Sequence, residues 1–210
     1  MDVRPSRTGL PRTVSARCRC LLVAGSLGLW LAASAPGCAQ QPDGSAAARE
    51  RMVREFLADP DPPLTRVEDP AVLAAMRAVP RHEFVPPPYR ALAYANRPLP
   101  IGHGQTISQP WIVARMTELL ELEPGDRVLE VGTGSGYQAA VLAEIADSVY
   151  SIEIIGELAR SARERLHRLD YGQVRVRHGD GYLGWPEHAP FDAIVVTPAP
   201  EEIPSPLVDQ

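Results

Sequence analysis

Three glycines at alternate positions, Gly132, Gly134 and Gly136, follow a short apolar run that carries a single acid, Glu130. Glycine has no side chain, so a turn of this composition lets a ligand approach the backbone closely. Residues 137–143 then have the composition of a helix, and the whole segment predicts a strand, a tight turn and a helix. Such a segment is typical of the first turn of a nucleotide-binding α/β unit.

The spacing of these glycines helps to distinguish two kinds of cofactor. The pattern is G-x-G-x-G, whereas dinucleotides are bound by G-x-G-x-x-G. Glu130 would repel the anionic pyrophosphate of a dinucleotide, but a carboxylate suits S-adenosylmethionine, which carries an ammonium and a sulfonium group. The motif alone also allows a structural glutamate beside a glycine-rich turn in another Rossmann-like protein.

Two further acids follow predicted strands. Glu153 comes directly after the predicted strand residues 149–152, of which only Ser151 is not apolar, and a carboxylate there can accept hydrogen bonds from both hydroxyls of a ribose. Asp180 and the adjacent Gly181 follow the next predicted strand, where a short acid can reach the amino group of an adenine. Ligands of parallel sheets bind outside the carboxyl ends of the strands. Three acids in series therefore favour a binding site for a nucleoside cofactor over the alternative that these acids are only solvated.

The elements that must position these residues alternate along the chain. The pattern predicts four strands and two intervening helices, the strands over 127–131, 148–152, 174–177 and 193–197, and the helices over 137–146 and 156–169. This alternation indicates an α/β fold with a doubly wound, mostly parallel sheet, Rossmann-like. An N-terminal helical extension precedes it, with helices over 46–59, 70–79 and 109–122 and an irregular, proline-rich connector over 81–100.

Composition excludes several kinds of chemistry. The 210 residues include no lysine, so a Schiff-base lysine and a P-loop lysine are excluded. All three cysteines, Cys18, Cys20 and Cys38, lie near the N-terminus, so the chain after Cys38 has no cysteine nucleophile, disulfide or cysteine zinc site. The spacing of the histidines fits no metal template, and we expect no metal site.

The charge distribution argues against nucleic acid as a partner. The segment from Met1 to Cys38 carries five arginines and one aspartate, a net charge of +4, so the rest of the chain accounts for −9 within the total of −5. An acidic body does not favour contacts with a phosphate backbone.

The N-terminus has the pattern of an export signal over residues 1–39. Arginine-rich residues 1–20 precede an apolar stretch over 21–35, which has the length of a signal-peptide core and is short for a membrane-spanning helix. Cys38 lies where a lipoprotein signal would be acylated, although Ala35 replaces the usual leucine. Ordinary cleavage after Ala39 and a misassigned start codon, which would leave the protein cytoplasmic, are the alternatives. Residues 40–50 are predicted to be a linker.

From about residue 51 to residue 210, the chain resembles the protein-L-isoaspartate O-methyltransferase family. The most specific block is PIGHGQTISQP at residues 100–110. Further blocks match upstream at 79–85 and downstream at 112–117, 177–181 and 189–194. The resemblance implies one domain over 51–210, with N-terminal helices and the substrate loop over 51–125 and the cofactor-binding core over 126–210.

The resemblance also implies the ligands and the residues that hold them. The cofactor would be S-adenosylmethionine, bound by Glu130, Gly132, Gly134, Gly136, Glu153, Asp180 and Gly181. The substrate would be the free carboxylate of isoaspartyl or D-aspartyl residues in damaged peptides and proteins, and the enzyme would be a monomer. Ser108 matches the active-site serine of the family, and Thr106, Ile107 and Gln109 form the loop around it. Residue types alone equally allow Ser108 to cap the helix that begins near Pro110.

Members of the family continue with further strands where this chain stops. We therefore expect the C-terminal strands of the sheet to be missing and residues 193–197 to form an exposed apolar edge. A small-molecule methyltransferase and a non-catalytic, truncated cofactor-binding remnant are the alternative functions. The block at residues 106–110 speaks against the first of these.

Overall fold

The computed structural model describes residues 44–61, 65–198 and 202–210. The predicted export signal, Cys38 included, and the first residues of the predicted linker lie outside this range; the linker prediction is wrong for residues 44–50, which are helical. All described residues belong to one unit, Gln40–Gln210. None of the described helices is long and apolar enough to cross a membrane.

Three helices precede the main sheet. They are α1 (Gly44–Met52), which continues as a π-helical segment over Val53–Ala58, α2 (Pro70–Ala78) and α3 (Pro110–Glu118). Helix α2 begins where the sequence predicts, because the Asp69 side chain accepts a hydrogen bond from the backbone N–H of Ala71 at 2.7 Å. Helix α3 ends four residues before its predicted end. Its last residue, Glu118, accepts a hydrogen bond from the N–H of Asp69 at 3.0 Å and so links the two helices.

An antiparallel hairpin begins at the end of the segment that was predicted to be an irregular connector, residues 81–100. Two 3₁₀ turns, Arg81–Phe84 and Pro87–Leu92, are followed by β1 (Leu99–Gly102) and β2 (Gln105–Ile107). Leu99 pairs with Ile107, and Pro100 pairs with Thr106. β1 contains Pro100 and Gly102, two residue types that strands disfavour, and β2 has only three residues, which is why the sequence pattern did not predict these strands.

Four parallel strands form the main sheet in the order β5-β4-β3-β6. The strands are β3 (Arg127–Val131), β4 (Ser148–Glu153), β5 (Arg175–His178) and β6 (Ala193–Val196). Helix α4 (Tyr137–Ala143) connects β3 to β4, and α5 (Gly156–Arg168) connects β4 to β5. The predicted α/β fold is confirmed, with element ends of the sheet region that differ by at most three residues.

The two faces of the sheet are covered by different elements. Val128 and Val149 pack in one cluster with buried residues of the N-terminal helices, α4 and α5. Leu129 and Ile152 pack on the opposite face with Leu207 of the short helix α6 (Ser205–Val208). Among the described residues β6 pairs only with β3, so the strand lies at the edge of the sheet, as the sequence predicts.

Candidate cofactor and substrate site

A cavity of about 440 Å³ opens at the carboxyl ends of β3, β4 and β5. Its volume lies within the range of about 300–1,000 Å³ that is usual for small-molecule sites. Seven residues predicted from the sequence line it: Thr106, Ser108, Gly132, Gly134, Glu153, Asp180 and Gly181. The fold therefore brings the acids, the glycine turn and the predicted substrate loop to a single site.

The glycine turn after β3 needs glycine for two different reasons. Gly132, Gly134 and Gly136 all have positive φ, at +97°, +54° and +90°, a conformation that disfavours other residues. Space is limiting as well at Gly132, where a methyl group would overlap Thr197 Oγ1 and lie 2.8 Å from Pro198 Cδ. Gly136 does not line the cavity. It precedes the first residue of α4, and a methyl group there would lie 3.2 Å from the side chain of Leu166, so Gly136 permits helix packing.

Glu153 closes the cavity from the end of β4. One carboxylate oxygen accepts a hydrogen bond from the N–H of Gly134 at 2.7 Å, and the other accepts one from the N–H of Ile155 at 3.0 Å. A carboxylate has about four lone-pair sites, so two remain for further donors. Glu153 is thus already oriented by the backbone, with acceptor capacity for a diol.

Glu130 occupies a different place from the one predicted. Successive residues of a strand point to opposite faces, and the Val131 side chain is the one that reaches the cavity. The Glu130 side chain is completely buried on the other face, where Ser151 donates a hydrogen bond to it and Thr133 contacts Ser151. Glu130 therefore supports the turn from beneath rather than lining the cavity.

Burial raises the pKa of Glu130 to about 8; the Ser151 hydroxyl opposes this shift, and the charge of Glu153 adds to it. Its other carboxylate oxygen, Oε1, has no hydrogen-bond partner among the described residues. The neutral form is the one that this environment favours, because a buried, incompletely paired carboxylate is costly.

Replacing Glu130 by glutamine is expected to change the pH dependence of stability. In the unfolded chain this carboxyl loses its proton near the ordinary pKa of 4.5, whereas the folded protein keeps the proton up to the raised pKa of about 8. The carboxyl therefore makes its full contribution to stability below pH 4.5, and this contribution is lost as the pH rises towards 8. Glutamine cannot ionise. Between pH 6 and pH 7 the free energy of unfolding of the wild type should fall by about 1 kcal/mol relative to Glu130→Gln.

Urea unfolding of both proteins without cofactor, followed by circular dichroism, measures this difference. Glu157→Gln, at an exposed position in the first turn of α5, is the matched control and should follow the wild type. If the free energy of unfolding depends on pH in the same way in the wild type and in Glu130→Gln, the burial of a neutral carboxyl is contradicted.

Asp180 and Gly181 form the wall of the cavity after β5. Asp180 Oδ1 accepts a hydrogen bond from the N–H of Tyr182 at 2.9 Å and so begins a 3₁₀ turn over Gly181–Leu183. A methyl group at Gly181 would overlap Val131 Cγ1. Glycine at this position therefore lets the loop after β5 lie directly against the end of β3.

The hairpin and the residue that follows it supply another part of the cavity wall. Ser108 is half-buried and lines the cavity together with Thr106. The alternative role of Ser108 as a helix cap is not observed, because Gln109 occupies the N-cap position of α3 without a side-chain hydrogen bond. Gln109 itself lies outside the wall, and Ile107 is a buried core residue that borders a smaller adjoining cavity.

Eight further lining residues were not predicted: Gln105, Val131, Ile152, Ile154, Ile155, Tyr182, Thr197 and Pro198. Thr197 follows β6, and its hydroxyl lies 3.0 Å from the Val131 carbonyl oxygen and 2.9 Å from that of Gly132. The rule that ligands lie at carboxyl ends of strands, applied to the last strand as well, could have found it. Ile154 and Tyr182 are large apolar side chains, 68% and 57% exposed, directly after β4 and close after β5.

Within residues 44–61, 65–198 and 202–210, no group of three His, Cys, Asp or Glu side chains is placed to hold a metal ion. The polar groups that line the cavity are glycine backbone, carboxylates, hydroxyls and one amide.

Comparisons with known proteins agree with this geometry. One relative is a protein-L-isoaspartate O-methyltransferase from Gloeobacter violaceus, which is 68% identical over 69% of this chain and 70% of that protein. Another is protein-L-isoaspartate O-methyltransferase 2 from Syntrophobacter fumaroxidans, which is 61% identical over 85% of this chain and 73% of that protein. A solved protein-L-isoaspartate O-methyltransferase matches with a TM-score of 0.64 and 34% identity over 69% of this chain and 48% of that one.

A β-aspartate methyltransferase from Plasmodium falciparum, solved in complex with S-adenosyl-L-homocysteine, matches with a TM-score of 0.61 and 25% identity over 79% of this chain and 78% of that one. The family model described as protein-L-isoaspartate(D-aspartate) O-methyltransferase matches residues 64–210, which include the hairpin, the glycine turn and all three strand-end acids. This chain therefore belongs to the protein-L-isoaspartate(D-aspartate) O-methyltransferase family.

Proposed function

We propose that this protein transfers a methyl group from S-adenosylmethionine to the free carboxylate of isoaspartyl and D-aspartyl residues in damaged proteins. The observation that carries the proposal is the single cavity in which Ser108 and Thr106 of the hairpin face the same space as Gly132, Glu153 and Asp180. Family membership supports both the cofactor and the substrate.

The residues present fit S-adenosylmethionine. The two remaining lone-pair sites on Glu153 suit the two hydroxyls of a ribose. Asp180 Oδ1 accepts a hydrogen bond from the Tyr182 N–H, and Oδ2 can accept one from an amino group of the cofactor. The exposed side chains of Ile154 and Tyr182 offer apolar surface of the kind on which an adenine packs. Backbone free of side chains at Gly132 and Gly134 permits close approach of the rest of the molecule.

The reaction needs positioning more than proton transfer. When bound, the cofactor supplies an electrophilic methyl group on a sulfonium. The carboxylate that accepts it is already ionised at neutral pH, so no residue has to act as a base. Ser108 is placed to hold one carboxylate oxygen by donating its hydroxyl proton, which leaves the other oxygen to attack in line. Holding two reactants in that geometry can lower the activation free energy by several kcal/mol.

Methyl transfer to a matched pair of peptides tests the proposal. We expect radiolabelled methyl to enter an isoaspartyl peptide and not its aspartyl twin. Transfer only to small molecules would support a small-molecule methyltransferase instead. Cofactor binding without transfer to either peptide would support a non-catalytic, cofactor-binding protein and overturn the proposal.

Ser108→Ala is expected to weaken use of the peptide while leaving the cofactor bound. A hydrogen bond to a charged group contributes roughly 1.5–3 kcal/mol, so kcat/KM for the isoaspartyl peptide should fall roughly 10–100-fold. The dissociation constant for S-adenosylhomocysteine should not change. Ser148→Ala is the matched control, because Ser148 is half-buried at the amino end of β4, opposite to the site. Equal losses in both variants, or none in Ser108→Ala, would refute the role given to Ser108.

We also propose that the protein is exported and carries a lipid on Cys38, with cleavage after Ala39 as the alternative. The arginine-rich start and the apolar stretch over residues 21–35 support export. Labelled palmitate should be incorporated into the wild type and lost in Cys38→Ser. Absence of label on the wild type would exclude lipidation, and cell fractionation would then separate a soluble periplasmic protein from a cytoplasmic one.

A further inference from the structure

A second cleft, of about 240 Å³, lies beside the glycine turn and is lined by three arginines. Arg165 and Arg168 come from α5, and Arg90 comes from the 3₁₀ turn Pro87–Leu92. Glu83 is the one acid among the described lining residues. The cleft therefore carries an excess of positive charge, although the chain after Cys38 accounts for a net charge of −9 within the total of −5.

Arg165 is held rigidly in this cleft. Its guanidinium donates hydrogen bonds to the Ser135 carbonyl oxygen at 2.8 Å and to Ser161 Oγ at 3.2 Å. Burial and then the neighbouring Arg168 lower the pKa of Arg165, while Glu83 and Glu164 oppose that change. Two cations close together in a partly buried position repel each other, and a bound anion would relieve this repulsion.

The other two arginines keep donors available. Arg90 and Arg168 each have a guanidinium nitrogen near Glu83 Oε2, at 3.6 and 3.8 Å. Both distances exceed that of a hydrogen bond, and the two side chains are 49% and 59% exposed. One carboxylate shared at these distances cannot satisfy two guanidinium groups, each of which has five N–H donors.

The cleft adjoins the substrate loop. Ser135 lines both the cleft and the smaller cavity that contains Ser108 and Thr106. Ile101 of β1 belongs to the cleft wall, while Thr106 lies on the paired strand of the same hairpin. A polypeptide bound with its reactive carboxylate at Ser108 therefore has the arginine cleft next to it.

We propose that this arginine cleft binds acidic side chains that flank the isoaspartyl residue of a protein substrate. The inference rests on the proposed function and adds a preference among its substrates. Carboxylates are the planar partners that guanidinium groups bind best in proteins. Elsewhere the acidic surface repels an acidic segment, so the cleft would also set the direction in which such a segment lies.

Steady-state methylation of three isoaspartyl peptides tests this inference: one with neutral flanks, one with two glutamates before the isoaspartyl residue, and one with two glutamates after it. At low ionic strength, wild type should show roughly a fivefold higher kcat/KM for one acidic peptide than for the neutral one, mainly through KM. Added salt should reduce the ratio. In Arg168→Gln the ratio should approach one, and in Arg168→Glu the neutral peptide should be preferred.

Arg160→Gln is the matched control, because Arg160 is an exposed arginine of the same helix that does not line the cleft. It removes the same charge and should keep the wild-type ratio. Equal use of all three peptides by wild type, or the same ratio in Arg168→Gln as in Arg160→Gln, would overturn the inference and leave the proposed function intact. If wild type methylates none of the peptides, the proposed function fails and the inference fails with it.

Discussion

Glu153→Gln is expected to weaken cofactor binding by roughly 100-fold. In the wild type each oxygen of this carboxylate accepts a backbone hydrogen bond, from Gly134 at 2.7 Å and from Ile155 at 3.0 Å. A glutamine amide has only one oxygen. Its NH₂ group would face a backbone N–H on one side, so the variant loses a hydrogen bond to the turn and an acceptor for the ribose together.

Isothermal titration with S-adenosylhomocysteine measures the change. Glu157→Gln, four residues later and exposed, removes the same charge and should leave the dissociation constant unchanged. A thermal unfolding curve for each variant separates loss of the site from loss of the fold. A change of less than about threefold in Glu153→Gln would show that this carboxylate does not hold the cofactor.

Gly132→Ala is expected to cost about 3 kcal/mol of stability and to abolish measurable cofactor binding. Gly132 has φ of +97°, which alanine adopts only with strain. An added methyl group would also overlap Thr197 Oγ1 and lie 2.8 Å from Pro198 Cδ. The turn can accept it only if the loop after β6 moves away from the cavity, and this would displace two lining residues at once.

Gly125→Ala separates the two causes. Gly125 has a similar φ, at +105°, but a methyl group there would meet no atom within 4 Å. Its replacement should therefore show the conformational cost alone, about 1 kcal/mol, with cofactor affinity unchanged. Urea unfolding of the two variants measures the difference. If Gly132→Ala and Gly125→Ala lower the free energy of unfolding equally, the crowding of the added methyl group against Thr197 and Pro198 does not contribute to the loss of stability.

Local patterns account for most of what could be predicted. The strands β3, β4 and β6 contain short apolar runs bounded by turns, and Asp69 with Pro70 marks a helix start by its own chemistry. These features depend on neighbours along the chain, so their positions follow from the sequence within a few residues. The hairpin of β1 and β2 did not follow, because its strands are defined by their pairing with each other.

By itself, the sequence determined that a glycine turn and acids follow consecutive parallel strands, and that Ser108 stands in a block typical of one family. Only the tertiary structure decided which side chains share a cavity. Glu130 and Ser151 are register partners within the sheet and lie buried together, whereas Glu153 is the last residue of its strand and lines the cavity. The approach of Thr197 to Gly132, 65 residues apart, and the presence of Ser108 and Glu153 in one cavity likewise arise from strand order and packing, which no local pattern contains.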